Sequence, residues 1–398
     1  MATQDSENAF NDASIIRHTN TMLIDAINMG ASDLHFEPYE ATYRIRLRVD
    51  GILREHSQQP IQLANRFTTS IKILAQLDIS EKRLPQDGHF KMQFQQRLVD
   101  FRVSSCPTLY GEKIVIRILD PINMQSGIEH LGYEPLQREI LLRNITRTHG
   151  MILATGPTGS GKTMSLYSAL NTLNSPTVNI STVEDPVEIN IPGINQVNVN
   201  LKAGLDFAMA LRSFLRQDPD IIMVGEIRDL ETAKIAVQAS HTGHLVLSTL
   251  HTNSAAEVLP RLVTIGIPGY NVASSISLVI SQRLCRRLCV KCKTRISLSP
   301  ASLLKVGLTK QELANSEIAI FTAVGCKECH DGYKGRIGIY EMLEVSSDIA
   351  QIIADGGTSL DIERQSTGSG CLTLRQAGIN KILTGITSID EVAKNINL

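Results

Sequence analysis

The spacing of apolar side chains changes rhythm along this chain, and each change predicts a different element. Over residues 15–29, Ile16, Leu23 and Ile27 recur at helical spacing, and Gly30 is a suitable stop. Over 43–49 the period drops to two. Tyr43, Ile45, Leu47 and Val49 alternate with Arg44, Arg46 and Arg48, and Asp50-Gly51 predicts a hairpin into Ile52-Leu53. Residues 61–77 return to a helical pattern. Asp87-Gly88 predicts another turn. After it, Val99, Phe101 and Val103, then Ile114, Ile116 and Ile118, predict two more half-buried strands. The pattern describes an α+β module of roughly 120 residues ending near Asp120-Pro121, with one apolar sheet face and one rich in arginine.

Beyond it the rhythm alternates. Strands are predicted at 151–155, 178–183, 221–224 and 245–248, and helices at 132–148, 164–173, 206–216 and 232–240. Repeated β-α units imply a parallel sheet whose chemistry gathers at the carboxyl ends of its strands. Between the first of these strands and its helix lies Gly156-Pro157-Thr158-Gly159-Ser160-Gly161-Lys162-Thr163, with Met164 opening the helix. This is G-x-x-x-x-G-K-[ST], the loop whose backbone N–H groups and following helix N-terminus cradle phosphates. Lys162 is placed to reach the β- and γ-phosphates of ATP, and Thr163 to ligate Mg²⁺.

At the end of strand 221–224, Gly225 stands where many loop ATPases carry an aspartate, so Glu226 is assigned to polarise the attacking water. The missing second acid is sought in Glu184, Asp185 or Glu188, acting on Mg²⁺ directly or through water. His244 and His251 bracket strand 245–248 and are candidates to contact the γ-phosphate or Glu226. The arginine-rich face has two readings. It is either a solvated outer face or a source of guanidiniums that reach the phosphates, with Arg102 and Arg117 as candidates.

Cys289-x-x-Cys292 and Cys326-x-x-Cys329, 33 residues apart, can close a tetrahedral Zn²⁺ shell, with a helical hairpin expected at 300–321 between them. Cys285 and His330 lie near enough in sequence to substitute as ligands, and Cys106 and Cys371 are expected to be buried thiols. Composition sharpens this picture. With 398 residues, two or three domains are expected. Lys plus Arg (39) balances Asp plus Glu (40), aromatics are 4% and Trp is absent, which counts against a nucleic-acid translocase built on the same core. No apolar run is long enough to span a membrane and the N-terminus is not a signal peptide, so a cytosolic protein is expected.

These motifs, in this order, resemble the secretion and pilus-assembly ATPases of the type II secretion/type IV pilus class. The resemblance runs from about residue 15 onward. It includes Gly30-Ala-Ser-Asp-Leu-His-Phe-Glu-Pro38, Arg48-Val-Asp-Gly51, Arg83-Leu-Pro-Gln-Asp-Gly88 and the phosphate loop. Further on it takes in an aspartate box at 184–188, an atypical Walker B at 221–226, a histidine box at 241–251, the tetracysteine and Gly335-Arg-Ile-Gly-Ile-Tyr-Glu341. The resemblance implies an α/β chain with a RecA-like P-loop core (131–284). Before the core it implies a flexible start (1–14), a PAS-like α+β domain (15–122) and a linker (123–130). After it come a tetracysteine zinc-binding subdomain (285–342) and a C-terminal helical subdomain (343–398). It further implies a homo-hexamer using ATP, Mg²⁺ and Zn²⁺ in the cytoplasm, peripheral at the inner membrane, and driving a platform protein. The tetracysteine resembles the extension and secretion branch rather than retraction motors. Members of that branch usually carry a further N-terminal docking domain. Only about 14 residues precede the match here, so a naturally short or a trimmed form is expected.

Overall fold

A computed structural model describes residues 12–123, 127–310 and 318–396. The chain divides into two compact units, Met1–Met124 and Gln125–Leu398, each with its own core.

In the first unit, six strands form one antiparallel sheet in the order β3-β2-β1-β6-β5-β4. They are β1 (Ala31–Pro38), β2 (Thr42–Val49), β3 (Ile52–Pro60), β4 (Gln86–Phe94), β5 (Arg97–Thr108) and β6 (Gly111–Leu119). Helices α1 (Asp12–Asn28) and α2 (Ala64–Leu74) share a core with the apolar face, where Phe36, Tyr43 and Phe67 are fully buried. The alternation along β2 is complete: Tyr43, Ile45, Leu47 and Val49 are buried, and the arginines between them are half-buried.

Three details depart from the sequence reading. Asp87-Gly88 is not a turn but the start of β4, where Gly88 pairs with Val103. A Cβ at Gly88 would lie 2.4 Å from the Ala75 carbonyl oxygen, so the glycine allows close backbone approach rather than reversal. β1 carries no clean alternation because its outward residues are buried too. Glu37 accepts from Arg46 through both oxygens (2.8 Å each) and pairs with Lys113 at 3.1 Å. Burial pushes this carboxyl up, but those hydrogen bonds outweigh it and hold its pKa at about 2. Cys106 is exposed rather than buried, opposite Lys113 across β5 and β6.

The second unit is built on a seven-stranded sheet in the order β15-β12-β7-β11-β10-β8-β9. The strands are β7 (Gly150–Thr155), β8 (Ile180–Glu184), β9 (Asn195–Asn198), β10 (Ile221–Val224), β11 (Leu245–Leu250), β12 (Ile276–Leu288) and β15 (Tyr333–Glu344). All neighbours are parallel except β15, which returns antiparallel to β12. β7, β8, β10 and β11 are buried at every position, as both faces of such a sheet require. Helices α3 (Pro135–Ile145), α4 (Lys162–Leu173), α5 (Phe207–Phe214), α6 (Leu230–His241), α7 (Val258–Ile265) and α8 (Gly269–Ser275) accompany it.

The cysteine-bearing segment is an excursion between β12 and β15. Its described part holds α9 (Pro300–Val306) and a ribbon of β13 (Thr294–Ile296) with β14 (Ile320–Thr322). Of the expected hairpin at 300–321, the first arm is helix α9 and residue 310 is again helical. Its far end is strand, and 311–317 lie outside the described residues. Helices Ser347–Ala354, Ser359–Gly368, Leu374–Leu383 and Ile389–Asn395 close the chain. Among the described residues no helix is long and apolar enough to cross a membrane.

Candidate active site

β7 delivers the phosphate loop at the middle of the sheet. Gly156, Gly159 and Gly161 all have positive φ, and Gly161 stands at the N-cap of α4 without a side-chain cap. The first N–H groups of that helix are thus left to an anion, whereas α5 and α6 spend theirs on Asp206 and Asp229. Lys162 Nζ folds back along the loop and donates to the carbonyls of Gly156 (2.7 Å) and Pro157 (3.2 Å). Burial pulls its pKa down, the Glu226 carboxylate opposes this, and Arg283 reinforces it. Ser160 is buried, Thr163 and Met164 are half-buried, and Pro157 and Thr158 are exposed at the mouth.

Glu226 follows β10 and is pinned on both sides. Gly225 N–H donates to Val183 O on β8 (2.8 Å), Ile227 N–H to Thr249 O on β11 (3.1 Å), and Thr249 Oγ1 to Gly225 O (2.7 Å). A Cβ at Gly225 would lie 3.3 Å from Val183 O, so an aspartate there would crowd the end of β8. The Glu226 carboxylate pairs with Arg228 and lies 3.6 Å from His251 Nε2. Asp185 is exposed and its charge is felt at Arg228. The structure thus gathers Lys162, Glu226, Arg228, His251 and Asp185 at the carboxyl edge of the sheet.

Two expected residues are placed otherwise. His244 precedes β11, and its carbonyl accepts from Gly150 N–H at the start of β7. It therefore sits at the amino edge, one strand length (~20 Å) from Glu226, with Nδ1 3.0 Å from Ala239 O. Glu184 ends β8 but is only 3% exposed. Its oxygens accept from Tyr167 Oη, from Thr182 Oγ1 (2.7 Å) and from Gln196 Nε2 (3.3 Å). Both of its oxygens are engaged by side chains of its own core, which gives it an anchoring role in the described structure. Tyr167 Oη also accepts from Glu188 N–H (3.2 Å), tying the acidic loop to α4, and Glu188 itself is half-buried.

Arg102 and Arg117 face each other across β5 and β6 of the first unit. Arg117 pairs with Asp33 at 3.3 Å and is largely exposed.

The four cysteines converge. Their Sγ atoms all lie within 4.8 Å of one another, with separations of 3.9 Å (289–326), 3.6 Å (292–329) and 3.5 Å (326–329). A Zn–S bond of ~2.3 Å gives a tetrahedral edge of ~3.8 Å, while a disulfide needs ~2.05 Å. The donor set fits a closed zinc shell. Cys285 stands apart, buried with Sγ directed at Glu391 O and its thiol pushed up to about 12 by burial. His330 is not part of the cluster either.

The model of the family described as "Type II/IV secretion system protein" matches residues 8–394. The chain belongs to this family. It is 56% identical over 382 residues to the type IV pilus assembly ATPase PilB of Acinetobacter baylyi, covering 96% of this chain and 66% of the relative. It is 53% identical to PilB of Pseudomonas aeruginosa (98% and 69% covered) and 45% identical to type II secretion system protein E of Pectobacterium carotovorum (98% and 78% covered). The chain thus spans about two thirds of the length of these pilus-assembly relatives. Among solved structures, the Legionella pneumophila ATPase DotB superposes with a TM-score of 0.70 at 21% identity, covering 95% of this chain and 94% of DotB. The pilus retraction motor PilT with bound ADP superposes at 0.64 and 24%, covering 94% and 95%. At such identities the two establish the shared fold.

Within this secretion-family core, the sequence reading passed over two polar side chains. Tyr167 sits on α4 among apolar neighbours and reads as core. Gln282 is an amide ending the run Ile276-Ser-Leu-Val-Ile-Ser-Gln, and a polar group closing an apolar strand was the available signal.

Proposed function

We propose that this chain is an ATP-hydrolysing motor subunit that drives type IV pilus assembly or type II secretion. It works as a homo-hexamer in the cytoplasm against an inner-membrane platform protein, with no nucleic acid involved. The observation that carries the reading is the placement of Glu226, held between β8 and β11 and electrostatically coupled to Lys162 of the phosphate loop. ATP phosphates are cradled by the N–H groups of residues 156–164, and Lys162 exchanges its loop carbonyls for phosphate oxygens. Thr163, with Asp185 as the candidate acid, would hold Mg²⁺, which when bound would supply charge neutralisation at the phosphates. Glu226 orients the attacking water, and His251 stands where it can respond to the state of that carboxylate. Arg102 and Arg117 are the guanidiniums assigned to the phosphates, of this chain or of a neighbouring copy, and the four cysteines would hold a structural Zn²⁺.

The decisive experiment compares Lys162→Ala with Glu226→Gln. Lys162→Ala is expected to lose nucleotide binding. Glu226→Gln is expected to keep it while turnover falls about 10²–10⁴-fold. A Glu226→Gln chain that hydrolyses ATP at the unmodified rate would overturn the assignment.

A further inference from the structure

The phosphate loop is backed by the end of β12, and one residue there, Gln282, bonds to it directly. That strand runs parallel to β7 with Ser281 paired to Thr155, so Gln282 emerges level with Gly156. Gln282 is 1% exposed and spends both ends of its amide. Nε2 donates to the carbonyl of Ser160 (2.8 Å), and Oε1 accepts from Ser165 Oγ (2.9 Å). Because a carbonyl can only accept, the amide orientation is fixed by Ser160. Ser160 lies inside the loop and Ser165 in the first turns of α4, so one amide bridges loop and helix. The loop also packs onto the same residue. A Cβ added at Gly156 would lie 2.5 Å from Gln282 O, and one at Gly161 3.2 Å from Gln282 Nε2.

We infer that Gln282 is the positioning residue that holds the phosphate loop in its anion-cradling shape before any nucleotide arrives. The inference rests on the nucleotide-binding reading of that loop. Converging N–H groups repel one another, and within the loop Ser160 N–H donates to Pro157 O (3.2 Å). A buried amide tying the loop's midpoint to the neighbouring strand restrains the loop in advance, so binding does not have to order it. The side chains on either side extend the same grip. Arg283 Nη2 (2.8 Å) and Ser281 Oγ (3.4 Å) both donate to Asn253 O, in the segment that follows His251. One strand end therefore sets the position of the loop that holds the phosphates and of the segment that carries the histidine.

The test uses the full chain and three variants, with ADP affinity, ATP KM, kcat and thermal melting measured on each. Gln282→Met keeps the buried volume and loses both hydrogen bonds, Gln282→Ala loses volume as well, and Ser165→Ala leaves the Ser160 bond in place. Expected for Gln282→Met is a roughly tenfold rise in both ADP Kd and ATP KM, with kcat at saturating ATP within about threefold of the unmodified chain. Ser165→Ala is expected to give a smaller rise of about two- to threefold. Folded Gln282→Met with unchanged Kd and KM overturns the inference. So does a fall in kcat at constant KM, which marks a smaller active fraction rather than a misplaced loop. If Gln282→Ala fails to fold, Gln282→Met and Ser165→Ala decide. An unmodified chain that binds no ADP refutes the nucleotide reading itself, a different result from an unmodified chain that binds ADP and a Gln282→Met chain that binds it equally well.

Discussion

Both oxygens of Glu184 are spent inside the protein, on a tyrosine, a threonine and a glutamine. A buried carboxylate so engaged is costly to disturb, because each donor left unmet carries a desolvation penalty of about 1–3 kcal/mol. Replacing it with Gln puts an amide N–H₂ against at least one of those donors. Glu184→Gln is therefore expected to lower the melting temperature by a few degrees while leaving the Mg²⁺ concentration for half-maximal ATPase activity unchanged. A metal ligand would give the opposite pattern, an intact melt and a sharply raised Mg²⁺ requirement. Tyr167→Phe, which removes one partner of Glu184 and the acceptor for Glu188 N–H, is expected to share the melting defect. At the same scale Gly225 is explained by β8. A Cβ there would press on the Val183 carbonyl at 3.3 Å, so a side chain at 225 needs the strand end to shift, and the acidic function at this edge is carried by the next residue.

Elements differ in how openly they declare themselves. The phosphate loop was legible because its needs are local: backbone that turns at Gly156, Gly159 and Gly161, then a lysine and a hydroxyl at fixed offsets. The β2 strand was legible because one of its faces is core and the other is not. β1 was hidden because both of its faces are buried, Leu34 and Phe36 in the core and Asp33, His35 and Glu37 beneath a layer of basic side chains. His244 was misplaced for a different reason. Flanking a strand says nothing about which edge a residue occupies; direction does, and a residue that precedes a parallel strand lies opposite the site. The cysteine pairs were legible from spacing alone. They carry a prediction at this scale: about one Zn per chain by elemental analysis. Cys289→Ser, or exhaustive chelation, is expected to expose 289–333 to proteolysis, since metal and folding energy are linked in such knuckles. A zinc-free chain with that segment still protected would remove the claim.

For the molecule as a whole, the arginines of the first unit carry the sharpest test of the motor reading. A solvated face and a phosphate-reaching face predict different behaviour when chains are mixed. Arg102→Ala in a chain with an intact core leaves a competent phosphate loop that lacks its arginine. Glu226→Gln in a second chain leaves the arginine but removes the residue that orients water. If Arg102 merely faces solvent, its variant hydrolyses ATP at the unmodified rate and mixing only dilutes activity. If it serves the nucleotide of its own chain, both variants are slow and remain slow together. If it serves the nucleotide of a neighbour in a head-to-tail ring, mixing the two slow chains in equal amounts restores function at about a quarter of the sites, each pairing an intact core with a borrowed arginine. The motor reading expects this third outcome. It also expects specific activity to rise with protein concentration, with kcat rather than nucleotide affinity recovering, since a guanidinium that acts on developing charge stabilises the transition state more than the bound substrate.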